Sequence, residues 1–240
     1  MSHCRLSLII PTYNDAFLLE KNIPRLTEFL QSKSITYEII IVDDGSENSQ
    51  AVRDFAEQSG CRCFVNEENQ GKGAAVRKGM LEAEGEFCLY TDVDIPFEFE
   101  AIELFLRYLD EKEFDMAVGD RTLPESQYFH EISFLRKMGS HFFSFIVGRF
   151  VVGGFFDTQC GLKGFRAAVA RDLFSNATIN SFAFDVELLY IALKRNYDIK
   201  RLPVRLRSNE TSSVKLFRHG AGMLLDLLRI KANQMSGRYH

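Results

Sequence analysis

From residue 5 to residue 120 the chain switches repeatedly between short apolar runs and longer segments with helical spacing, and few folds satisfy that alternation. The runs "RLSLIIP" (5–11), "YEIIIVDDGS" (37–46), "CRCFVN" (61–66), "EFCLYTD" (86–92) and "DMAVGD" (115–120) read as strands. Between them, 14–32, 49–60, 72–85 and about 97–110 read as helices, the second closed by Gly60 and the first carrying Pro24 as a kink site. Strands separated by helices of this length form β-α-β units, so the expected class is α/β with a parallel sheet. Apolar runs such as "EIIIV" suit strands covered on both faces.

In open sheets of this kind ligands bind at the carboxyl ends of the strands. The polar residues gather at those ends: Thr12-Tyr13-Asn14-Asp15, Asp43-Asp44, Asn66, Asp92 with Asp94, and Asp120-Arg121. Any one of them is explicable as a solvated loop; five in succession point to a single cleft. Asp92-x-Asp94 is the most pointed case, because two neighbouring carboxylates repel unless a cation or a basic side chain joins them. On an extended strand their side chains would share one side, ready for Mg²⁺ or Mn²⁺ completed by phosphate oxygens. The rival reading is that Asp94 caps the helix that follows. "NQGKGAAVRKG" (69–79) departs from a Walker A loop, since Asn66 and Gly73 stand where Gly and Ser or Thr are needed. What remains is a glycine-rich turn opening a basic helix with Lys72, read either as an anion site or as a tight connection.

The second half is less regular. Residues 127–156 are rich in phenylalanine; 157–166 gives a strand or turn, 181–196 a helix, 197–207 a strand and 212–235 an amphipathic helix. Without repeat or linker, the 240 residues are expected to form one domain, divided into a 1–122 ligand-binding half and a 123–240 half. A net charge of −4 argues against nucleic acid as the main partner. Five cysteines without C-x-x-C spacing fit neither zinc nor a disulfide framework and point to a reducing compartment. No apolar run approaches the ~18 residues needed to cross a bilayer. Residues 128–152 set phenylalanines beside Arg136, Lys137 and His141, a composition equally suited to core packing and to a membrane interface.

Taken in order, "IIPTYND", "EIIIVDDGS", "NQGKGAAVRKG", "TDVD", "VGDR", "DTQCGLKGFR", "FAFDVELLYIA" and "LPVRLR…SSVKL" resemble the family 2 glycosyltransferases of GT-A fold. The later stretches are similar to the branch holding the dolichyl-phosphate β-glucosyltransferases and dolichyl-phosphate mannose synthases, the former more so, over about 5–232. The resemblance implies a mostly parallel (mixed) sheet flanked by helices, with amphipathic C-terminal helices. It implies a hexose, expected to be glucose from UDP-glucose, transferred with inversion to a polyprenyl or dolichyl phosphate. Alternatives are transfer to a glycan or soluble hydroxyl, and nucleotide-sugar binding without catalysis. It further implies that Pro11, Tyr13, Asp15, Asp43, Asp44, Lys72 and Asp92 hold the nucleotide sugar, while Asp92 and Asp94 carry Mg²⁺ or Mn²⁺. Asp94, Asp185 and Arg121 would serve the chemistry, with Asp185 a base for a hydroxyl acceptor and Glu187 close to the sugar. Arg121, Arg136, Asp157, Gln159, Arg205, Arg207 and Lys215 would form the phosphate and acceptor side. Two departures accompany it: Ile95-Pro96 replace the glutamine common after the D-x-D in mannose synthases, and no apolar anchor precedes residue 5. A cytoplasmic protein, reaching the cytoplasmic face of a membrane through peripheral contact, is the resulting expectation.

Overall fold

The computed structural model describes residues 4–127, 152–207 and 220–239. Its elements run β1 (Leu6–Thr12), α1 (Ala16–Ser32), β2 (Tyr37–Asp43), α2 (Ser49–Ser59), β3 (Arg62–Val65), α3 (Lys72–Leu81), β4 (Phe87–Thr91), α4 (Glu100–Asp110) and β5 (Met116–Asp120). There follow β6 (Leu162–Arg166), α5 (Ala167–Asn176), α6 (Phe184–Lys194), β7 (Ile199–Pro203) and α7 (Gly220–Met235). The seven strands form one sheet in the order β3-β2-β1-β4-β6-β5-β7. Neighbours are parallel except β6, which runs antiparallel to both β4 and β5. The sheet is therefore mixed, and a strand from the second half of the chain lies between two from the first.

Every residue of β1 is buried, as expected for a strand covered on both faces. On one face α1, α2 and α4 bury Leu19, Ile23, Val52, Ile102 and Phe105 against Leu8, Ile41 and Leu89. On the other, α3, α5 and α6 pack on Ile9, Val42, Tyr90 and Phe165, and α7 adds Leu227 and Ile230. Full burial of one such aliphatic or aromatic side chain is worth about 1.5–3 kcal/mol. Helix α3 rides close to the sheet because its inner positions are small: a Cβ on Gly79 would come within 2.6 Å of Ile9.

The expected strands and helices are present, most with trimmed ends; residues 212–219 of the 212–235 helix lie outside the described residues. The 97–110 helix begins at Glu100, and the 197–207 strand stops at Pro203, beyond which Arg205 and Leu206 make single bridges to Gln127 and Phe97. Gly60 closes α2 at φ 68, and α1 continues through Pro24. Helix α5 was not expected from the sequence; "AAVARDLFSN" buries Val169, Ala170, Leu173 and Phe174. Residues 128–151 lie outside the described residues, and with them most of the phenylalanine-rich stretch, Arg136 and the interface face proposed for 128–152 apart from Val152, as does Lys215. Phe155 and Phe156 are described, the first packed against the core and the second exposed. Among the described residues no helix is long and apolar enough to cross a membrane.

Candidate active site

The carboxyl ends of β1, β2, β4 and β5 bring the predicted polar residues to one edge of the sheet. β4 ends at Thr91, so Asp92 and Asp94 stand in the turn beyond it instead of on the extended strand. The amide of Ile95 closes that turn on the Asp92 carbonyl at 3.0 Å. Ile95 takes φ 37, a left-handed conformation that a β-branched side chain adopts only when its surroundings enforce it. It is fully buried, and Pro96 follows. Asp94 does not cap α4, whose N-cap is Phe99, so the capping alternative is excluded.

The two acids have different partners. Asp92 forms an ion pair with the Lys72 ammonium at the start of α3. Its other oxygen lies against Gly161, where a Cβ would come within 2.1 Å. Asp94 has a buried Oδ1 with no hydrogen-bond partner. Burial and the Asp92 charge push the Asp94 carboxyl up to about 6, against the pull of Lys72. The Asp15 charge also reaches Asp94. Lys72 loses by burial, but the charges of Asp92, Asp185 and Asp94 together raise it above the ordinary lysine value. Asp92, Asp94, Asp185 and Lys72 thus share one electrostatic cluster.

Asp185 sits in the first turn of α6, where the helix dipole favours an anion. Its Oδ1 accepts from the Tyr90 hydroxyl and from Lys163 Nζ at 2.5 Å, and Lys163 donates also to the Cys160 carbonyl at 2.9 Å. Lys163 is fully buried and pairs with Tyr90 across the β4–β6 ladder. Sequence reasoning passed over Lys163, although a lysine inside "GLKGF" had to find a buried partner. Glu187, two residues further along in the same first turn, is also fully buried. It accepts from the amides of Thr178 and Ile179, the Thr178 hydroxyl and, at 2.6 Å, the Tyr239 hydroxyl. Those bonds fix the 178–179 segment rather than leaving the carboxylate open to a ligand.

On β1 and β2, Pro11 is buried in register with Val42 and Tyr13 is 46% exposed at the strand end. Thr12 and Asp43 are register partners, and Thr12 Oγ1 and Asp43 Oδ2 are both buried without a hydrogen-bond partner. Asp44 is committed to the chain: its oxygens accept from Asn66 Nδ2 and from the amides of Gln70 and Gly71 at 2.8–3.0 Å. The Gly73 amide donates to the Asn180 carbonyl at 2.7 Å. The glycine-rich stretch therefore acts as a tight strand-to-helix connection, and its contribution to the cluster is the Lys72 side chain.

On the far side, Arg121 grips Asp157 through its amide, Nε and Nη2 at 2.6–2.8 Å. Asp120, next to it, accepts from Arg201 at 2.5 Å. Gln159 is half-buried in the turn before β6, and Arg205 is exposed. Arg207 faces back toward the D-x-D turn. Its amide donates to the Pro96 carbonyl at 2.8 Å, its guanidinium lies 4.6 Å over the Phe99 ring, and Nη2 donates to Asn22 Oδ1. Asn22 is itself buried in α1 and donates to the Val93 carbonyl, between the two acids, at 3.0 Å. Asn22 was another omission, since a lone asparagine within a helical pattern gives no signal of what it will meet.

Among the described residues no cluster of three or more His, Cys, Asp or Glu side chains is placed to hold a metal ion. A cation here would take two carboxylates at most, the arrangement of Mg²⁺ or Mn²⁺ sites shared with phosphates. The orphaned Asp94 oxygen beside Asp92 fits that use.

A mixed α/β sheet with an Asp-x-Asp turn at the ligand end of its central strands defines a GT-A-type glycosyltransferase. The glycosyl transferase family 2 model matches residues 7–174, and the chain belongs to that family. It is 34% identical over 246 residues to a dolichyl-phosphate β-glucosyltransferase of Dictyostelium discoideum, covering 97% of this chain and 75% of that one. With the Homo sapiens dolichyl-phosphate β-glucosyltransferase identity is 30%, over 98% of this chain and 77% of the other. Among solved structures, mannosyl-3-phosphoglycerate synthase from Rubrobacter xylanophilus superimposes with a TM-score of 0.68 at 18% identity, covering 98% of this chain and 75% of that one. Glucosyl-3-phosphoglycerate synthase from Mycobacterium tuberculosis, solved with Mn²⁺ and UDP-glucose, gives 0.65 at 15% identity over 92% and 78%. At those identities the likeness establishes the fold.

Proposed function

We propose that this glycosyltransferase moves glucose from UDP-glucose to a polyprenyl phosphate of the dolichyl type, with Asp92 and Asp94 holding Mg²⁺ or Mn²⁺. The observation that carries the reading is the Asp94 Oδ1, buried and unpartnered beside Asp92 at the end of β4. The relatives named as dolichyl-phosphate β-glucosyltransferases support the sugar and the acceptor. When bound, the cation supplies positive charge where the departing nucleoside diphosphate becomes more negative. Tyr13, with the unpartnered Thr12 and Asp43 atoms, receives the nucleoside. Arg121 and Arg205, together with Arg136 and Lys215, meet the acceptor phosphate.

A phosphate acceptor is already anionic near neutral pH and needs no general base. That suits Asp185, whose Oδ1 is held by Lys163 and Tyr90 rather than poised to receive a proton from substrate. Asp185 instead orients the sugar, and one in-line displacement inverts the anomeric centre. The test is a thermal-shift screen of nucleotide sugars with and without Mn²⁺, followed by transfer assays on dolichyl phosphate and on hydroxyl acceptors. Saturation at 100 times the dissociation constant adds about 2.7 kcal/mol of stability. Metal-dependent stabilisation by UDP-glucose above GDP-mannose, with transfer to the lipid phosphate, is expected. The reverse donor ranking, or transfer only to hydroxyls, overturns the proposal.

A further inference from the structure

Three acidic side chains, Asp92, Asp94 and Asp185, form one charged cluster with two lysines, and the lysines are not equivalent. Lys163 is fixed: fully buried, with Asp185 and the Cys160 carbonyl as partners. Lys72 reaches Asp92 from the first residue of α3, its ammonium also 5.9 Å from the centroid of the Phe182 ring. The backbone beneath it cannot easily follow a moving side chain. Gly71 is at φ 102 with its amide on Asp44, the Gly73 amide is on Asn180, and a Cβ at either glycine would come within 2.6 Å of the 179–180 backbone. Any rearrangement falls to the flexible four-carbon lysine stem. An ammonium and a divalent cation repel when they lean on one carboxylate, so Lys72 and the cation compete for Asp92.

We infer that Lys72 is the resident counterion of the D-x-D turn, displaced from Asp92 by the divalent cation and taken up by the donor diphosphate, so that this side chain adds to the cooperativity that direct contact between cation and phosphate supplies. The inference rests on the metal-dependent reading of Asp92 and Asp94. Its consequence is reciprocal: the diphosphate draws the lysine away and tightens cation binding by the same factor as the cation tightens diphosphate binding. A lysine that merely braced the turn would give a different result on removal, since a loosened turn binds metal less well.

The experiment is Mn²⁺ titration of the full chain followed by electron paramagnetic resonance of the free ion, with and without UDP, in wild type, Lys72→Met and Lys72→Arg. Wild type should bind Mn²⁺ weakly alone and about tenfold or more tightly with UDP, within the usual range of coupling between sites. Lys72→Met should bind Mn²⁺ alone several-fold more tightly than wild type and gain less from UDP, keeping only the part that direct contact between cation and phosphate supplies; Lys72→Arg should keep wild-type behaviour. Circular dichroism melts check that each variant is folded. Lys72→Met binding Mn²⁺ no more tightly than wild type, in a folded protein whose gain from UDP is undiminished, overturns the inference and leaves the metal reading standing. Wild type taking up no Mn²⁺ even with saturating UDP defeats the metal reading and the inference with it.

Discussion

Asp157 and Lys163 show how the local surroundings of one charged residue set what a substitution does. Asp157 is nearly buried, which alone would raise its pKa, but the Arg121 hydrogen bonds and charge outweigh burial and hold it below the ordinary carboxylate value. A carboxyl with a depressed folded pKa contributes stability that is present above its unfolded value of 3.8 and is lost as pH falls through the folded one. Asp157→Asn is therefore expected to be less stable than wild type at pH 7, with the gap narrowing below about pH 4. Urea unfolding from pH 3 to pH 7 reads it; a gap that stays constant with pH contradicts the assignment. Lys163 and Asp185 form a buried pair, and breaking such a pair from one side costs about 3–5 kcal/mol because a charge is left uncompensated. Lys163→Met should thus be severely destabilised, while Lys163→Met/Asp185→Asn should cost less than the sum of the single changes, by more than about 1 kcal/mol in a denaturation cycle. Strict additivity would mean that the two side chains do not share the interaction described.

At the scale of elements, the antiparallel β6 puts site residues together that the sequence keeps apart. It is inserted between β4 and β5, so that Gly161, Lys163 and Asp157 meet residues from the first half of the chain. The β-α-β half was legible because β1, β2, β4 and β5 are apolar runs bounded by turns and their polar ends line up wherever parallel strands do. Neither the antiparallel direction of β6 nor helix α5 was legible: "GLKGF" has no directional mark, and "AAVARDLFSN" is only ten residues with a weak pattern. Asp92 and Asp94 were found by spacing, whereas Lys163 and Asn22 act through partners 22 and 71 residues away that no local pattern encodes. Gly161 yields a prediction at this scale. Its added Cβ would strike Asp92 Oδ2 at 2.1 Å, the end of a side chain able to turn aside. Gly161→Ala should keep its melting temperature within a few degrees yet lose about tenfold or more in UDP-glucose affinity with Mn²⁺, since misplacing a ligand group by an ångström carries penalties of that order. Calorimetric titration reads the affinity. An unchanged value would show that Asp92 has room to spare.

Across the whole molecule, the end of the chain braces its opposite half through the loop at 178–181. Tyr239 donates to Glu187 and, with Thr178, accepts from Asn233 of α7, while Ser181 donates to Asp226 of the same helix. The loop in turn meets α3: the Asn180 carbonyl accepts from Gly73 and its side chain from Arg77 at 2.6 Å. A chain of contacts therefore runs from α7 through the Glu187 carboxylate to the residue beside Lys72, and from Lys72 to Asp92. Its keystone is Glu187, which satisfies two backbone amides at once. Tyr239→Phe removes one donor and leaves Glu187 with its others, so a loss of about 1 kcal/mol is expected. Glu187→Leu removes the acceptor of the Thr178 and Ile179 amides and of the Thr178 and Tyr239 hydroxyls, which keep only the Asn233 bonds, and each buried donor left unpaired costs about 1–3 kcal/mol. Urea denaturation should therefore rank Glu187→Leu far below Tyr239→Phe, and Glu187→Gln, which keeps one acceptor oxygen, between them. Equal losses for all three would mean that the carboxylate does not organise the loop, and that α7 is held by its apolar contacts at Leu227 and Ile230 and by the Asp226 and Asn233 hydrogen bonds.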